Sequence, residues 1–182
     1  MYELKKSAEI YSKYVDYNYT FILDCGISVN AMFKADNFYH LTGLHYLTDI
    51  VQLDKRLNNN SAKNIYKKIL NNKIKQELIE KSEFYFKIEK RLQKFCDYDE
   101  IIFSKIVVDF DYTILPQTEL LSRYLLYKEY EDGYGILGLK YDYSKDIYVP
   151  ETFIFNETDY YIKNQVTYDI KDVTYIHYKN KK

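Results

Sequence analysis

Residues 19–51, YTFILDCGISVNAMFKADNFYHLTGLHYLTDIV, are the stretch that decides how the rest of the chain is expected to fold. Within it, residues 20–25 predict a strand with Phe21, Leu23 and Cys25 on one side, and residues 29–33 predict a second short strand in which apolar residues alternate. Gly26 and Ser28 lie between the two runs and are residue types that tight turns favour. The stretch therefore predicts a β-hairpin near the N-terminus.

A helix is predicted directly after the hairpin, with Asp36 or Asn37 as its N-cap. Its apolar stripe has helical spacing, and His40 and His45 fall outside the centre of that stripe. Gly43 either ends this helix or allows another group to approach the backbone closely. The predicted stripe consists of Phe38, Leu41, Leu44, Leu47 and Val51.

The remaining segments complete an α+β pattern, with most helices first and most strands after them. Residues 1–18 predict a lead-in helix, and residues 19–57 predict the hairpin and the helix with the HLTGL motif. A basic helical spacer follows at residues 58–97, opening with a loop and cap formed by Asn58 to Ser61. Residues 98–182 predict an antiparallel sheet of four or five strands, because β-branched and aromatic stretches alternate there with tight turns. We expect a single domain over residues 1–182.

The charges are distributed unevenly, although the net charge of the whole chain is only −1. Residues 52–95 carry twelve basic and five acidic side chains, and both flanking segments are acidic. A basic segment between acidic ones can face nucleic acid, or it can be the solvated face of lysine-rich helices. The 23 tyrosines, with no tryptophan beside them, favour strands and interfaces.

Cysteine usage and hydropathy indicate a cytoplasmic protein. Cys25 and Cys96 lie far apart in the sequence and suggest no disulfide framework. No apolar run approaches the roughly 20 residues that span a membrane, and the N-terminus lacks the continuous apolar stretch of a signal peptide. We therefore expect no membrane partner.

Motifs that bind cofactors or metals are absent from the sequence. There is no P-loop, no paired-glycine dinucleotide turn, no HExxH and no CxxC. His40 and His45 are five residues apart, whereas a spacing of four would align two metal ligands on one helical face. We therefore expect neither a cofactor nor a metal.

Two short stretches contain side chains that suit acid–base chemistry. In the first, His40 can act as a general acid or base near neutral pH, and Thr42 adds a hydroxyl. In the second, Pro150 fits the edge of a strand, and Glu151 and Thr152 are expected on opposite faces of that strand. The alternative is structural: a histidine satisfied by its neighbours, and the polar rim of a sheet.

Together these two stretches resemble a family of phage and mobile-element proteins. The early one is FYHLTGL at residues 38–44, and the late ones are YVPETF at residues 148–153 and YIKNQ at residues 161–165. They are similar to the PBECR nucleases (phage barnase, EndoU, colicin and RelE-like), in the fourth branch of that family. The resemblance extends from about residue 19 to the end of the chain, and its most distinctive piece is the pentapeptide HLTGL.

The resemblance implies a small barnase- or RelE-like fold and RNA as the substrate. His40 would be the acid or base, with Glu151 as a second one and Thr152 beside them as a further catalytic donor. The substrate-binding side chains that it implies are Thr42, Arg123, Lys140, Tyr161 and Gln165. Metal-independent RNases of this kind need a base for the 2′-hydroxyl, an acid for the leaving oxygen and donors for the phosphate.

Three functions follow from these observations, and the first is preferred. The first is a small metal-independent endoribonuclease of a phage or mobile element. The second is a non-catalytic, phage-encoded inhibitor that binds a basic host protein of a nucleic-acid-processing complex through its acidic, tyrosine-rich surface. The third is a structural protein whose tyrosines form an oligomer interface. The sequence leaves open the oligomeric state and whether His45 or His177 joins His40.

Overall fold

The computed structural model of the protein describes residues 3–57, 60–115 and 117–178. The chain separates into two compact units, each built from two stretches of the sequence. The helical unit comprises Met1–Val15 and Lys34–Tyr98, and the sheet unit comprises Asp16–Phe33 and Asp99–Lys182. Among the described residues, no helix combines the length and the apolar character that crossing a membrane requires.

The helical unit consists of short helices joined by single 3₁₀ turns at residues 44–46, 51–53 and 85–87. Its first residues form the predicted lead-in helix, and the basic spacer is also helical. A sixth short helix, α6 (Tyr98–Ile102), begins at the last residue of this unit. The other helices are α1 (Glu3–Ser12), α2 (Asn37–Leu41), α3 (Ala62–Leu70), α4 (Gln76–Ile79) and α5 (Glu89–Phe95).

Tyr11 of α1 lies at the centre of the helical unit's core and is fully buried. Its ring centroid is 5.7 Å from that of Phe38 and 5.6 Å from that of Tyr98. Its hydroxyl donates to the carbonyl oxygen of Lys34 at 3.0 Å, and the hydroxyl of Tyr66 donates to that of Ala8 at 3.1 Å. Buried tyrosine hydroxyls need such partners, so these bonds fix how the helices pack.

Of the residues predicted to form the loop and cap before α3, the last one, Ser61, is confirmed as the N-cap. The Ser61 hydroxyl accepts a hydrogen bond from the backbone N–H of Asn64 at 3.2 Å. Asn58 and Asn59, the first residues of that predicted loop, lie outside the described residues.

The predicted helix with the HLTGL motif is shorter than its apolar stripe suggested. It ends at Leu41, and Gly43 adopts φ +78°, which an α-helix cannot continue. Val51, the last residue of the predicted stripe, is 65 % exposed. The apolar spacing continues past the end of the helix because Leu44 and Leu47 are buried as well. They belong to the 3₁₀ turn and to the residue that follows it, not to the α-helix.

Over its described residues, the sheet unit contains seven strands that close into a barrel in the order β1-β2-β6-β5-β4-β3-β7. The first two strands are the predicted N-terminal hairpin, with Gly26 at φ +87° in its turn. The remaining five strands lie in the segment after residue 98 that was predicted to form strands. The strands are β1 (Tyr17–Leu23), β2 (Ser28–Met32), β3 (Ile106–Asp109), β4 (Tyr124–Tyr130), β5 (Gly133–Asp142), β6 (Ile147–Asn156) and β7 (Val166–His177).

The α+β class is confirmed, but the prediction of an open antiparallel sheet of four or five strands is wrong. β7 is twelve residues long, so one part of it pairs with β1 and another with β3. β2 pairs with β6 in parallel through Ala31 and Tyr148, which closes the sheet. The N-terminal hairpin is therefore part of the same sheet as the late strands, a pairing across more than 100 residues of sequence.

Candidate functional site

The HLTGL motif in the helical unit is mainly a helix end. Thr42 is fully buried, and its hydroxyl donates to the carbonyl oxygen of Phe38 at 2.7 Å. Gly43 follows in the left-handed conformation, where a Cβ atom would lie 2.7 Å from Cγ2 of Ile88. Leu41 and Leu44 are buried in the core. His40, the first residue of the motif, is the one of the five that is exposed.

His40 and His45 form a pair on the helical unit. Their ring centroids are 4.8 Å apart, with the two planes tilted by 40°. The turn at Gly43 brings the two side chains together, since the chain reverses between them. His40 is exposed and His45 is half-buried, and the Nδ1 atom of His45 is buried without a hydrogen-bond partner in the protein.

Two cationic side chains flank this histidine pair. The Arg91 guanidinium lies 5.4 Å from the centre of the Tyr46 ring, which is itself 4.0 Å from the ring of His45. The Lys55 ammonium lies 5.1 Å from the centre of the Tyr39 ring. Among the described residues, Arg91 has no ion pair with a carboxylate. Together, His40, His45, Arg91 and Lys55 are called the basic cluster below.

The basic cluster lowers the pKa of both histidines. Burial, together with the charge of Lys55, lowers the pKa of His40 below its usual 6.5. Burial lowers the pKa of His45 to about 4, and the neighbouring charges of His40 and Arg91 add to this effect. Both imidazoles are therefore neutral at pH 7. A bound anion would oppose the cationic charges and raise both pKa values.

Glu151 lies on the sheet unit at a β-bulge. Gly138 of β5 is opposite Thr152 of β6, but the next pair is Leu139 with Pro150, so Glu151 is the extra residue. A carboxylate oxygen of Glu151 accepts a hydrogen bond from the Ser122 hydroxyl at 2.7 Å. Bulges commonly re-aim a side chain next to a functional site.

The bulge changes the expected orientation of Glu151 and Thr152. A Cβ atom on Gly138 would lie 2.2 Å from the Ser122 hydroxyl oxygen and 3.1 Å from Cγ2 of Thr152. Ser122 in turn bonds to Glu151, so the same serine lies against Thr152's side of Gly138 and contacts Glu151. The prediction that Glu151 and Thr152 point to opposite faces is therefore wrong, because it assumed unbroken strand alternation.

Both predicted cations of the sheet unit are paired with carboxylates. A guanidinium nitrogen of Arg123 is 2.8 Å from a carboxylate oxygen of Asp109. The Lys140 ammonium is 3.6 Å from the second carboxylate oxygen of Glu151. Since each positive charge has a negative neighbour, this region has donors without a large net charge.

A cavity of about 450 Å³ opens beside these ion pairs on the sheet unit. Its polar lining includes Ser122, Arg123 and Lys140. Most of the remaining wall is aromatic and comes from the segment after β3, from β5 and β6, and from the loop between these two strands. The aromatic side chains are Phe110, Tyr112, Tyr141, Tyr143 and Tyr148. The cavity, with its ion pairs, is called the tyrosine pocket below.

Gln165 and Tyr161 support the wall of this pocket. The Gln165 side chain accepts from the backbone N–H of Asp111 at 2.8 Å and donates to its carbonyl oxygen at 3.2 Å. The ring of Tyr161 lies 6.4 Å from that of Phe110. Both side chains therefore hold the segment that carries Phe110 and Tyr112, and their substrate contacts stay a prediction.

The eight residues singled out from sequence are divided between the units. His40 and Thr42 belong to the helical unit, where Thr42 has a structural hydrogen bond. The structure brings Glu151, Lys140 and Thr152 together on the sheet unit, with Arg123 lining the same pocket. Their catalytic and binding roles stay predictions.

Several side chains of the two sites were not recognised from the sequence. Arg91 and Lys55 are two of twelve basic residues in one segment, and nothing in the sequence distinguishes them. No sequence pattern around Ser122 indicated a role for it either. Gly138 did have a sequence signal, since an isolated glycine within a strand pattern often marks a bulge or a close approach.

Over the residues that the structure describes, no three His, Cys, Asp or Glu side chains are grouped so that they could hold a metal ion. Cys25 is exposed and Cys96 half-buried, and both are free thiols.

Residues 3–182, almost the whole chain, match the family model PBECR4, described as phage-Barnase-EndoU-ColicinE5/D-RelE like nuclease4. The chain therefore belongs to this nuclease-like family, and the family resemblance seen in the sequence is confirmed. Neither the curated proteins nor the solved structures contain a match to the chain.

Proposed function

We propose that the protein is a metal-independent endoribonuclease whose acid–base pair is His40 and His45. The observation that carries this proposal is the pairing of the two imidazoles, 4.8 Å apart, within a group of cations. RNA can be cleaved without a metal when a base takes the 2′-hydroxyl proton and an acid protonates the leaving oxygen. The family membership supports a nuclease, and the basic cluster supports this form of catalysis.

In the proposed reaction, the 2′-oxygen attacks the adjacent phosphorus while the bond from phosphorus to the 5′-oxygen breaks. His45, which is neutral at pH 7, accepts the proton of the 2′-hydroxyl. His40 is exposed and gives a proton to the 5′-oxygen as it leaves. The products are a 2′,3′-cyclic phosphate and a free 5′-hydroxyl. Protonated His40 is favoured once the phosphate is bound, because the negative charge raises its pKa.

Arg91 is proposed as the group that stabilises the phosphate. Its guanidinium lies against the bare backbone of Gly43, since a Cβ there would be 3.1 Å from a guanidinium nitrogen. It has no carboxylate partner among the described residues, and its hydrogen bond to the Tyr46 side chain leaves other N–H groups as donors for an anion. Donors preorganised towards developing negative charge usually make the largest single contribution to such catalysis.

Glu151 and Thr152 are kept as proposed contributors from the sheet unit. Glu151 is held by Ser122 and Lys140, an arrangement that suits positioning a substrate group. With two histidines in one cluster, however, the acid–base pair does not require Glu151.

The test is incubation of the purified protein with a 5′-labelled single-stranded RNA in EDTA, beside the His40→Ala and His45→Ala variants. We expect the wild type to give products that end in a 2′,3′-cyclic phosphate. Each variant should lose about 10²–10⁴-fold in rate. His177→Ala is the matched control, because that histidine lies in β7 of the sheet unit, outside the cluster. Wild-type activity in both cluster variants would refute the assignment.

The alternative is the non-catalytic inhibitor, and the acidic charge of the sheet unit is the observation that favours it. Residues 16–33 and 99–182 carry seventeen acidic and ten basic side chains. This function predicts no cleavage by the wild type, together with tight, salt-sensitive binding to a basic host protein in a pull-down.

A further inference from the structure

The tyrosine pocket has rings whose faces are exposed. Tyr143 is 89 % exposed, although its ring lies only 4.9 Å from that of Tyr141. Tyr141 in turn packs against Tyr148, with ring centroids 5.0 Å apart and planes at 62°. In each of these edge contacts the edge of one ring meets the face of the other, so it is the high exposure of Tyr143 that leaves a ring face for another flat group.

The polar wall of the pocket is electrically balanced. Arg123 is paired with Asp109, and Lys140 with Glu151. A free phosphate would have to compete with these carboxylates for both cations. A flat, neutral ring with donors and acceptors at its edge meets no such competition, and it can stack on tyrosine at the same time.

The shape of this wall is set by the backbone. The bare Gly138 makes room for Ser122, whose hydroxyl holds Glu151 at the bulge. Burial raises the pKa of Tyr148 to about 12, and Tyr141 donates a hydrogen bond to Asp146, so both phenols stay neutral donors. The pocket is therefore preformed, and its volume of about 450 Å³ lies within the range of small-molecule sites.

We propose that the tyrosine pocket binds one unstacked nucleobase of a single-stranded RNA. The base stacks on the tyrosine rings, and its edge meets Ser122 and Arg123. This inference rests on the proposed function for the choice of RNA, and it specifies the substrate class as unpaired strands. A base-paired duplex is excluded, because a stacked and paired base cannot enter a pocket.

The probe is a dye-labelled RNA hexamer that carries 2′-O-methyl groups and therefore cannot be cleaved by attack of the 2′-oxygen. Its affinity is measured by fluorescence anisotropy and compared with that of its duplex and of a version with one abasic position. We expect Tyr143→Leu and Tyr148→Leu each to weaken binding between about 5- and 150-fold. The control is Tyr175→Leu, a tyrosine 56 % exposed on β7 that does not line the pocket. It should leave the affinity unchanged.

Two outcomes would overturn the base-binding proposal. One is equal affinity of the hexamer for the wild type and for a correctly folded Tyr143→Leu variant. The other is equal affinity of the hexamer and of its duplex for the wild type. Because the probe is uncleavable, this measurement reports binding alone and does not depend on turnover. Loss of this proposal is thereby distinguished from loss of the nuclease function, which the cleavage assay tests.

Discussion

The helical unit and the sheet unit differ most in their balance of charged residues and in whether the cations of their candidate sites are paired with carboxylates. The helical unit carries sixteen basic and ten acidic residues, whereas the sheet unit carries ten and seventeen. In the basic cluster, Arg91 has no carboxylate partner among the described residues, and two histidines with lowered pKa values lie beside it. In the tyrosine pocket, Arg123 and Lys140 are both paired.

This difference indicates two kinds of ligand group. Positively charged side chains without carboxylate partners favour the binding of a phosphate, because its negative charge relieves their mutual repulsion. Paired cations beside aromatic rings favour a neutral, flat group such as a base. We infer that the helical unit carries the residues that cleave RNA and that the sheet unit carries the residues that bind its bases.

The largest expected effect is on catalysis, from the loss of the Arg91 charge. Arg91→Met should reduce the rate of RNA cleavage by about 10²–10³-fold, because it removes a preorganised donor for the phosphate. It should also raise the pKa of His45, which NMR titration can follow, since the charge of Arg91 helps to lower it.

The control for Arg91→Met is Arg56→Met in the same unit. The Arg56 side chain is 88 % exposed and paired with Asp54 at 2.8 Å, so its loss should leave cleavage within about twofold. Equal effects of the two substitutions would mean that only the total charge of the helical unit matters.

A second comparison uses two glycines with a positive φ, one from each unit. Gly43→Ala should lower the free energy of unfolding by about 2–4 kcal/mol, since it adds a clash with Ile88 to the strain of a positive φ. Gly26→Ala should cost only about 1–2 kcal/mol, because no atom lies within 4 Å of its Cβ position. Urea denaturation of both variants measures the difference. Equal losses would show that the contact with Ile88 does not constrain the turn.

The third prediction concerns the pH dependence of stability. Unfolded His45 takes up a proton near pH 6.5, but folded His45 does so only near 4, so the unfolded state binds more protons in between. Stability should therefore fall as the pH is lowered from about 6.5 to 4, with a slope of at most about 1.4 kcal/mol per pH unit for this proton. Urea midpoints at several pH values measure it.

The matched variant for this pH effect is His45→Gln. Its slope between pH 6.5 and 4 should be smaller than that of the wild type, and not zero, since the pKa of His40 is also lowered. An unchanged slope would mean that His45 titrates alike in the folded and unfolded chains.

The smallest effect is expected at the bulge of the sheet unit. Ser122→Ala removes the hydrogen bond to Glu151 and should lower the free energy of unfolding by about 1 kcal/mol. Ser144→Ala is the control, because that serine makes a similar bond to Asp142 at 2.6 Å but is exposed. A loss there of a few tenths of a kcal/mol is expected. Equal losses would mean that the partial burial of the Ser122 bond adds nothing.

Local patterns were sufficient to predict the elements. The hairpin around Gly26, the cap at Ser61 and all five late strands are present, because turn chemistry, capping and alternation depend on neighbours in the chain. The end of α2 at Gly43 was one of two options that the sequence left open, and the structure shows it.

The sheet's closure and the composition of both sites depended on distant contacts. β1 pairs with β7 more than 140 residues later, a contact that no local pattern encodes. Arg91 lies beside Gly43 although 48 residues separate them, and Ser122 reaches Glu151 across 29.

The sequence by itself therefore determined most of the helix and strand segments, the family, and the position of His40 outside the centre of its apolar stripe. Residues 98–102, expected to be part of the sheet, form α6 instead. Only the tertiary structure decided that His45 and Arg91 join His40, that the strands close, and that a bulge places Glu151 next to Ser122. The physical reason is that burial, pKa and charge pairing are set by atoms within a few ångströms, whatever their separation along the chain.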